Sequence, residues 1–120
     1  MKLADRCNSI EESYEFMLAY AAQGVADGVD IREYLTKAAQ ALKGISAAAR
    51  EELDSPFLAV LDRDAADSLA AIELVIAQPA ISSQLIDNLN ASIHLRALLT
   101  DLFLIDEVLK TQPMAGAKAH

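Results

Sequence analysis

Apolar residues near the start of the chain return at intervals of three and four: Leu3, Cys7, Ile10, Tyr14, Met17 and Ala21. This spacing lines one side of an α-helix. Glu11, Glu12 and Glu15 form its solvent face, and the helix begins at Leu3 or, if Ser9 and Glu12 form a capping box, at Ile10, with Gly24 as its stop. Asp30 with Glu33 predicts the N-cap of a second helix, which runs to about Lys43. Ile31, Leu35, Ala38, Ala39 and Leu42 make its apolar face, and Gly44 stands where a left-handed terminal residue is wanted. Residues 46–53 read as a short helical turn. Ser55 ahead of Pro56 opens a third helix reaching about Ala77, because proline at the first helical position loses no intrahelical bond. Its inward positions are Phe57, Leu61, Ala65, Leu69, Ile72 and Ile76, its wet ones Asp62, Arg63, Asp64 and Asp67, and Pro79 breaks it. Ser82 or Ser83 caps a fourth helix that continues to about Thr111, with Pro113 as terminator.

No segment alternates with the period of a strand. The predicted fold is all-α: an up-down four-helix bundle with a short extra helical turn between helices two and three, in one domain over 1–112. The tail 113–120 has no periodicity and reads as disordered. Toward the end of the fourth helix, Leu102, Phe103, Leu104 and Ile105 are consecutive, Val108 and Leu109 follow, and only Asp101, Asp106 and Glu107 are charged between Arg96 and Lys110. Apolar side chains pointing around most of a helix must be covered on several sides. A homodimer built on this helix, with Leu102, Phe103, Ile105 and Leu109 at its interface, is the expectation; a different protein over the patch, or the turn from Ser46 to Leu53 folded over it within the chain, is the competing account.

Charge narrows the choice of partners. With 18 acidic residues against 10 basic, the net charge is −8, and such a field repels phosphate backbones and anionic lipid. The basic residues are scattered without interleaved aromatics, so nucleic-acid binding is not expected. Cys7 is the single cysteine. No intrachain disulfide can form, which favours a reducing cytoplasm. The least charged run, 68–86, is interrupted by Glu73, Gln78 and Pro79, so no membrane span is expected.

Chemistry is sparse. Glu11 and Glu15 share a helix face and His94 is the only candidate imidazole near them, an incomplete set beside the four carboxylates and two histidines of a di-iron bundle. The sets for zinc and haem are also incomplete, so neither a metal nor a cofactor is expected. Glu73 is surrounded in sequence by alanine, isoleucine, leucine and valine; buried, it needs a cation, and Arg96 is the partner of choice. The favoured reading instead brings Glu73 out on the alanine-rich face of Ala66, Ala70 and Ala77, in water or at a helix contact. Tyr14, with Tyr20, Tyr34 and Phe16, lines a pocket or belongs to the core. His94 lies on a polar stripe with Asp87, Asn90 and Asp101. In size and architecture the chain resembles histidine phosphotransfer modules, but in His94-Leu95-Arg96-Ala97 the leucine and arginine come one residue early and no glycine follows. The favoured reading is a non-enzymatic accessory, adaptor or regulatory bundle acting through protein–protein contacts. A bundle binding a small ligand or cofactor at a polar spot formed by Glu73, Arg96 and Tyr14 is the alternative, and phosphotransfer through His94 comes after both.

Overall fold

A computed structural model describes residues 1–23 and 31–111, and within them the chain is all-α. Six helices occur among these residues: α1 (Leu3–Gln23), α2 (Ile31–Leu42), α3 (Ile45–Arg50), α4 (Phe57–Ile76), α5 (Ser83–Ala91) and α6 (Ile93–Lys110). The expected Gly24 stop, Asp30 cap, Pro113 terminator and C-terminal tail lie outside the described residues.

The stripe read along the first helix is its inner face: Leu3, Ile10 and Met17 are buried, with Cys7, Tyr14 and Ala21 half-buried beside them. All five apolar positions expected on α2 are buried. Gly44 takes φ +92°, so it ends α2 in the left-handed region where a side chain is strained, and α3 begins one residue later. Ser55 and Pro56 start α4 as expected. The Phe57 N–H donates to Ser55 Oγ at 3.1 Å, and Pro56 already has helical angles. The inner line of α4 is rotated slightly from the predicted one. Leu58, Leu61, Ala65, Ser68, Ile72 and Val75 are buried, while Phe57, Leu69 and Ile76 flank them.

The expected single fourth helix is two helices. Ser92 is extended (φ −63°, ψ 145°); its N–H closes α5 on the Leu89 carbonyl, and its hydroxyl accepts from the Leu95 N–H to cap α6. The break lets α5 and α6 serve different neighbours. α5 packs mainly on α1, and α6 packs on α4. From Ile86 to Leu95 is two and a half turns at about 3.6 residues per turn. A straight helix would therefore point those two buried side chains to opposite sides. At the α4–α6 seam, Ser68 Oγ donates to the His94 carbonyl at 2.9 Å, while Phe57 and Val108 line one groove, so the two helices run antiparallel.

Two arginines close helix C-termini from other elements. Arg6 on α1 donates to the carbonyls of Ala41 (3.1 Å) and Lys43 (2.6 Å) at the end of α2. Arg32 on α2 donates to the carbonyls of Ile76 and Gln78 at the end of α4. Guanidinium groups suit these places because the last carbonyls of a helix lack intrahelical donors and carry partial negative charge.

Candidate interaction surface

The wall of the bundle formed by α6 has two unlike sides. Leu95, Leu98, Leu99, Leu102 and Ile105 are buried against the rest of the chain. Ile93, Ala97, Thr100, Leu104 and Val108, spaced by four, three, four and four, run along the outside with Phe103 at their flank. The large members of this outer line are exposed: Ile93 by 74%, Phe103 by 57%, Leu104 by 51% and Val108 by 42%. Beside its C-terminal half is an apolar groove of about 250 Å³ between Leu104, Ile105 and Val108 on one side and Leu53 and Phe57 on the other. The α6 segment is thus apolar on both sides for separate reasons, one the chain's own core and one an open face.

This geometry corrects the expected interface. Of the four residues assigned to it, Phe103 alone is fully outward. Leu102 and Ile105 are spent on the core, and Leu109 is half-buried. Ile93, Leu104 and Val108 are the other large apolar residues that α6 exposes. The spacing of 93, 97, 100, 104 and 108 carried that signal, but it is legible only once the inward line of α6 is known.

The other candidates lie apart from this face. Glu73 is exposed and pairs with Lys43 at 3.7 Å, at the α2–α4 contact. Arg96 is exposed on α6 and borders a shallow depression with Ile93, Ala97, Thr100 and Asp101. The Glu73–Arg96 pair offered for a buried Glu73 is therefore not formed, and Glu73 stands at the surface beside Lys43, as the favoured reading has it. Tyr14 is half-buried against the core, whereas Phe16 stacks on Tyr34 with ring centroids 4.1 Å apart. Tyr20 donates its hydroxyl to the Ile81 carbonyl at 2.7 Å. His94 is exposed, and its backbone carbonyl, rather than its ring, is what Ser68 binds. Among the described residues, no three or more His, Cys, Asp or Glu side chains are gathered to hold a metal ion, and no helix is long and apolar enough to cross a membrane.

Three polar features escaped the sequence reading. Asp101, placed there on a polar stripe, is buried. Its Oδ2 has no hydrogen-bond partner, and burial followed by the hydrogen bond and charge of Asp64 raises its carboxyl to about 7. Ser13 on α1 and Asn90 on α5 are also buried; Asn90 Nδ2 donates to the Met17 carbonyl at 3.1 Å, leaving its Oδ1 and the Ser13 hydroxyl unpartnered. Cys7 lines a cleft of about 500 Å³ with Leu3, Glu11, Glu52, Asp106 and Leu109. Burial, then the carboxylates of Glu11, Asp106 and Glu52, pushes its thiol up to about 11, the reverse of what an activated nucleophile needs. By contrast, Arg50 grips Asp62 with two bonds of 2.9 and 2.8 Å and, with help from Ser46, holds that carboxyl down to about 2. No family model, curated protein or solved structure matches the chain.

Proposed function

We propose that the protein is a non-enzymatic helical interaction module, working in a reducing cytoplasm, that pairs with a second copy of itself through the outer face of α6. The observation that carries this reading is the line of large exposed apolar side chains at 93, 103, 104 and 108, set on a rigid helix whose other side is core. Scattered exposed hydrophobes need no explanation, but several aligned on one helix face do.

The order of residues along the line favours a second copy as occupant. When two α6 helices cross antiparallel about a two-fold axis near Thr100, Ile93 of each meets Val108 of the other. Small Ala97 meets large Leu104, which interdigitates rather than collides. Arg96 and Glu107 share one flank of the line, and in the antiparallel pair they face each other with opposite charge. One helix face thus supplies both halves of an isologous contact.

Light scattering at high micromolar concentration should report a dimer. Phe103→Asp or Leu104→Asp should give a soluble monomer with unchanged helical circular dichroism. Arg96→Glu should weaken the dimer and Arg96→Glu/Glu107→Arg should restore it, since the swapped charges meet again across the axis. A monomeric parent sinks the reading, and a dimer indifferent to all of these changes places the contact elsewhere.

A further inference from the structure

We propose that Asp64 of α4 and Asp101 of α6 share one proton across the seam between these helices, making the seam a latch that is tight in mildly acidic solution and loosens as pH rises to neutral. The case starts from burial. Asp101 is only 5% exposed, and its Oδ2 is buried without a hydrogen-bond partner. An ionised carboxylate in that position is costly unless a cation or several donors face it. None does. The ion pairs among the described residues join Lys37 to Glu12, Lys43 to Glu73, Arg50 to Asp62 and Lys110 to Asp106, and none includes Asp64 or Asp101.

The antiparallel register that sets Ser68 at His94 and Phe57 beside Val108 brings Asp64, one turn before Ser68, to the level of Asp101 on the facing helix, and its carboxyl is the one that acts on Asp101. Two adjacent carboxylates cannot both ionise cheaply in such a place; one retains a proton and donates it to the other. On its own helix Asp101 has Arg96 at the rim of the same surface depression, exposed to water. The one charged residue of α5, Asp87, is exposed. From α1, Cys7 and Glu11 face α6 farther along, at Asp106 and Lys110. A divalent cation between the two carboxyls would need more donors, and no third carboxylate, imidazole or thiolate joins them among the described residues.

The direction follows from linkage. The Asp101 carboxyl is raised from 3.8 to about 7 in the folded chain, by burial first and by Asp64 next. Across that window the folded state keeps a proton that the unfolded state has released, so this stabilisation is complete below the ordinary carboxylate range. It is lost as pH rises to about 7 and changes no further beyond.

The test is the urea midpoint of the full chain at pH 5, 6, 7 and 8, at fixed protein concentration, for the parent, Asp101→Asn, Asp64→Asn and His94→Gln, together with a carbon-13 carboxyl titration of the parent. The parent's unfolding constant should rise by up to ~10-fold per pH unit between about 5 and 7 and then level off. Asp101→Asn keeps the shape and a donor toward Asp64, so its profile should be flat. His94→Gln should keep the slope, because that exposed ring is not part of the pair. A flat parent profile overturns the proposal, as does a slope that survives in Asp101→Asn, or a pair whose carboxyl carbons both titrate in the ordinary range. Magnesium or calcium raising the parent's midpoint at pH 8, but not that of Asp101→Asn, overturns it in favour of a cation site. Should Asp101→Asn fail to fold, Asp64→Asn should reduce the slope without abolishing it, because burial still raises Asp101, and an unreduced slope there overturns the shared proton; the carboxyl titration needs no variant.

Discussion

Two leucines on α4 offer a controlled comparison of burial. Leu61 has no exposed surface and Leu74 is 67% exposed, yet both sit in the interior of the same helix and lose the same atoms on substitution by alanine. Leu61→Ala removes a side chain packed on all sides and leaves a cavity that a close-packed core only partly fills, a loss of about 2–5 kcal/mol. Leu74→Ala touches neither packing nor a buried polar group and should stay within about 0.5 kcal/mol of the parent. Unfolding entropy near ~2.1 cal/mol/K per residue gives ~0.25 kcal/mol/K for this chain. A loss of about 3 kcal/mol at Leu61 then lowers Tm by roughly 12 °C, against about 2 °C or less at Leu74. Thermal and urea unfolding followed by circular dichroism read both quantities. Each melt should be run at several protein concentrations, because the proposed self-association would make Tm concentration-dependent. Equal losses at the two sites would refute the orientation of α4.

Two further outcomes follow from single residues. Gly44→Ala should lower the urea midpoint by the equivalent of about 1–2 kcal/mol, since φ is +92° there and a Cβ would lie 3.2 Å from Arg6 Nη2; an unchanged midpoint would show that the left-handed turn is not required. With its thiol pushed from 9.0 to about 11, Cys7 should react with an alkylating reagent at pH 8 roughly 100-fold more slowly than a free thiol of the ordinary value. Labelling in the folded protein as fast as in urea would contradict that.

Much of the fold was legible because local signals agreed with the apolar period. Gly44, the Ser55-Pro56 start and the buried line of α2 are places where capping chemistry and pattern say the same thing. The break at Ser92 was missed because neither glycine nor proline marks it. Its sign is a half-turn jump in the phase of the buried positions, and a continuous helix with apolar residues all round conceals that jump. The same concealment misassigned Leu102 and Ile105, which face the core while Leu104 and Val108 face out. Asp101 was unreadable for another reason. A lone aspartate in an apolar helix looks solvated unless the carboxyl opposite is known, and Asp64 lies 37 residues earlier on another helix. Glu73 shows the converse, since an apolar neighbourhood in sequence left it at the surface beside Lys43.

The polar ties between elements have a consequence for the order in which the chain folds and opens. Arg6 reaches 35 and 37 residues ahead, Arg32 reaches 44 and 46, Tyr20 reaches 61, and Asn90 reaches back 73. The caps at Ser55, Ser82 and Ser92 span two or three. Short-range caps cost little loop entropy and can form as each helix nucleates, whereas the long ties close only after the helices have docked. Interactions absent from the transition state are those whose loss speeds unfolding while leaving the folding rate almost unchanged. The arginine clasps at the ends of α2 and α4 therefore belong to the lifetime of the native state. The caps govern how readily that state is reached, and the clasps govern how long it lasts.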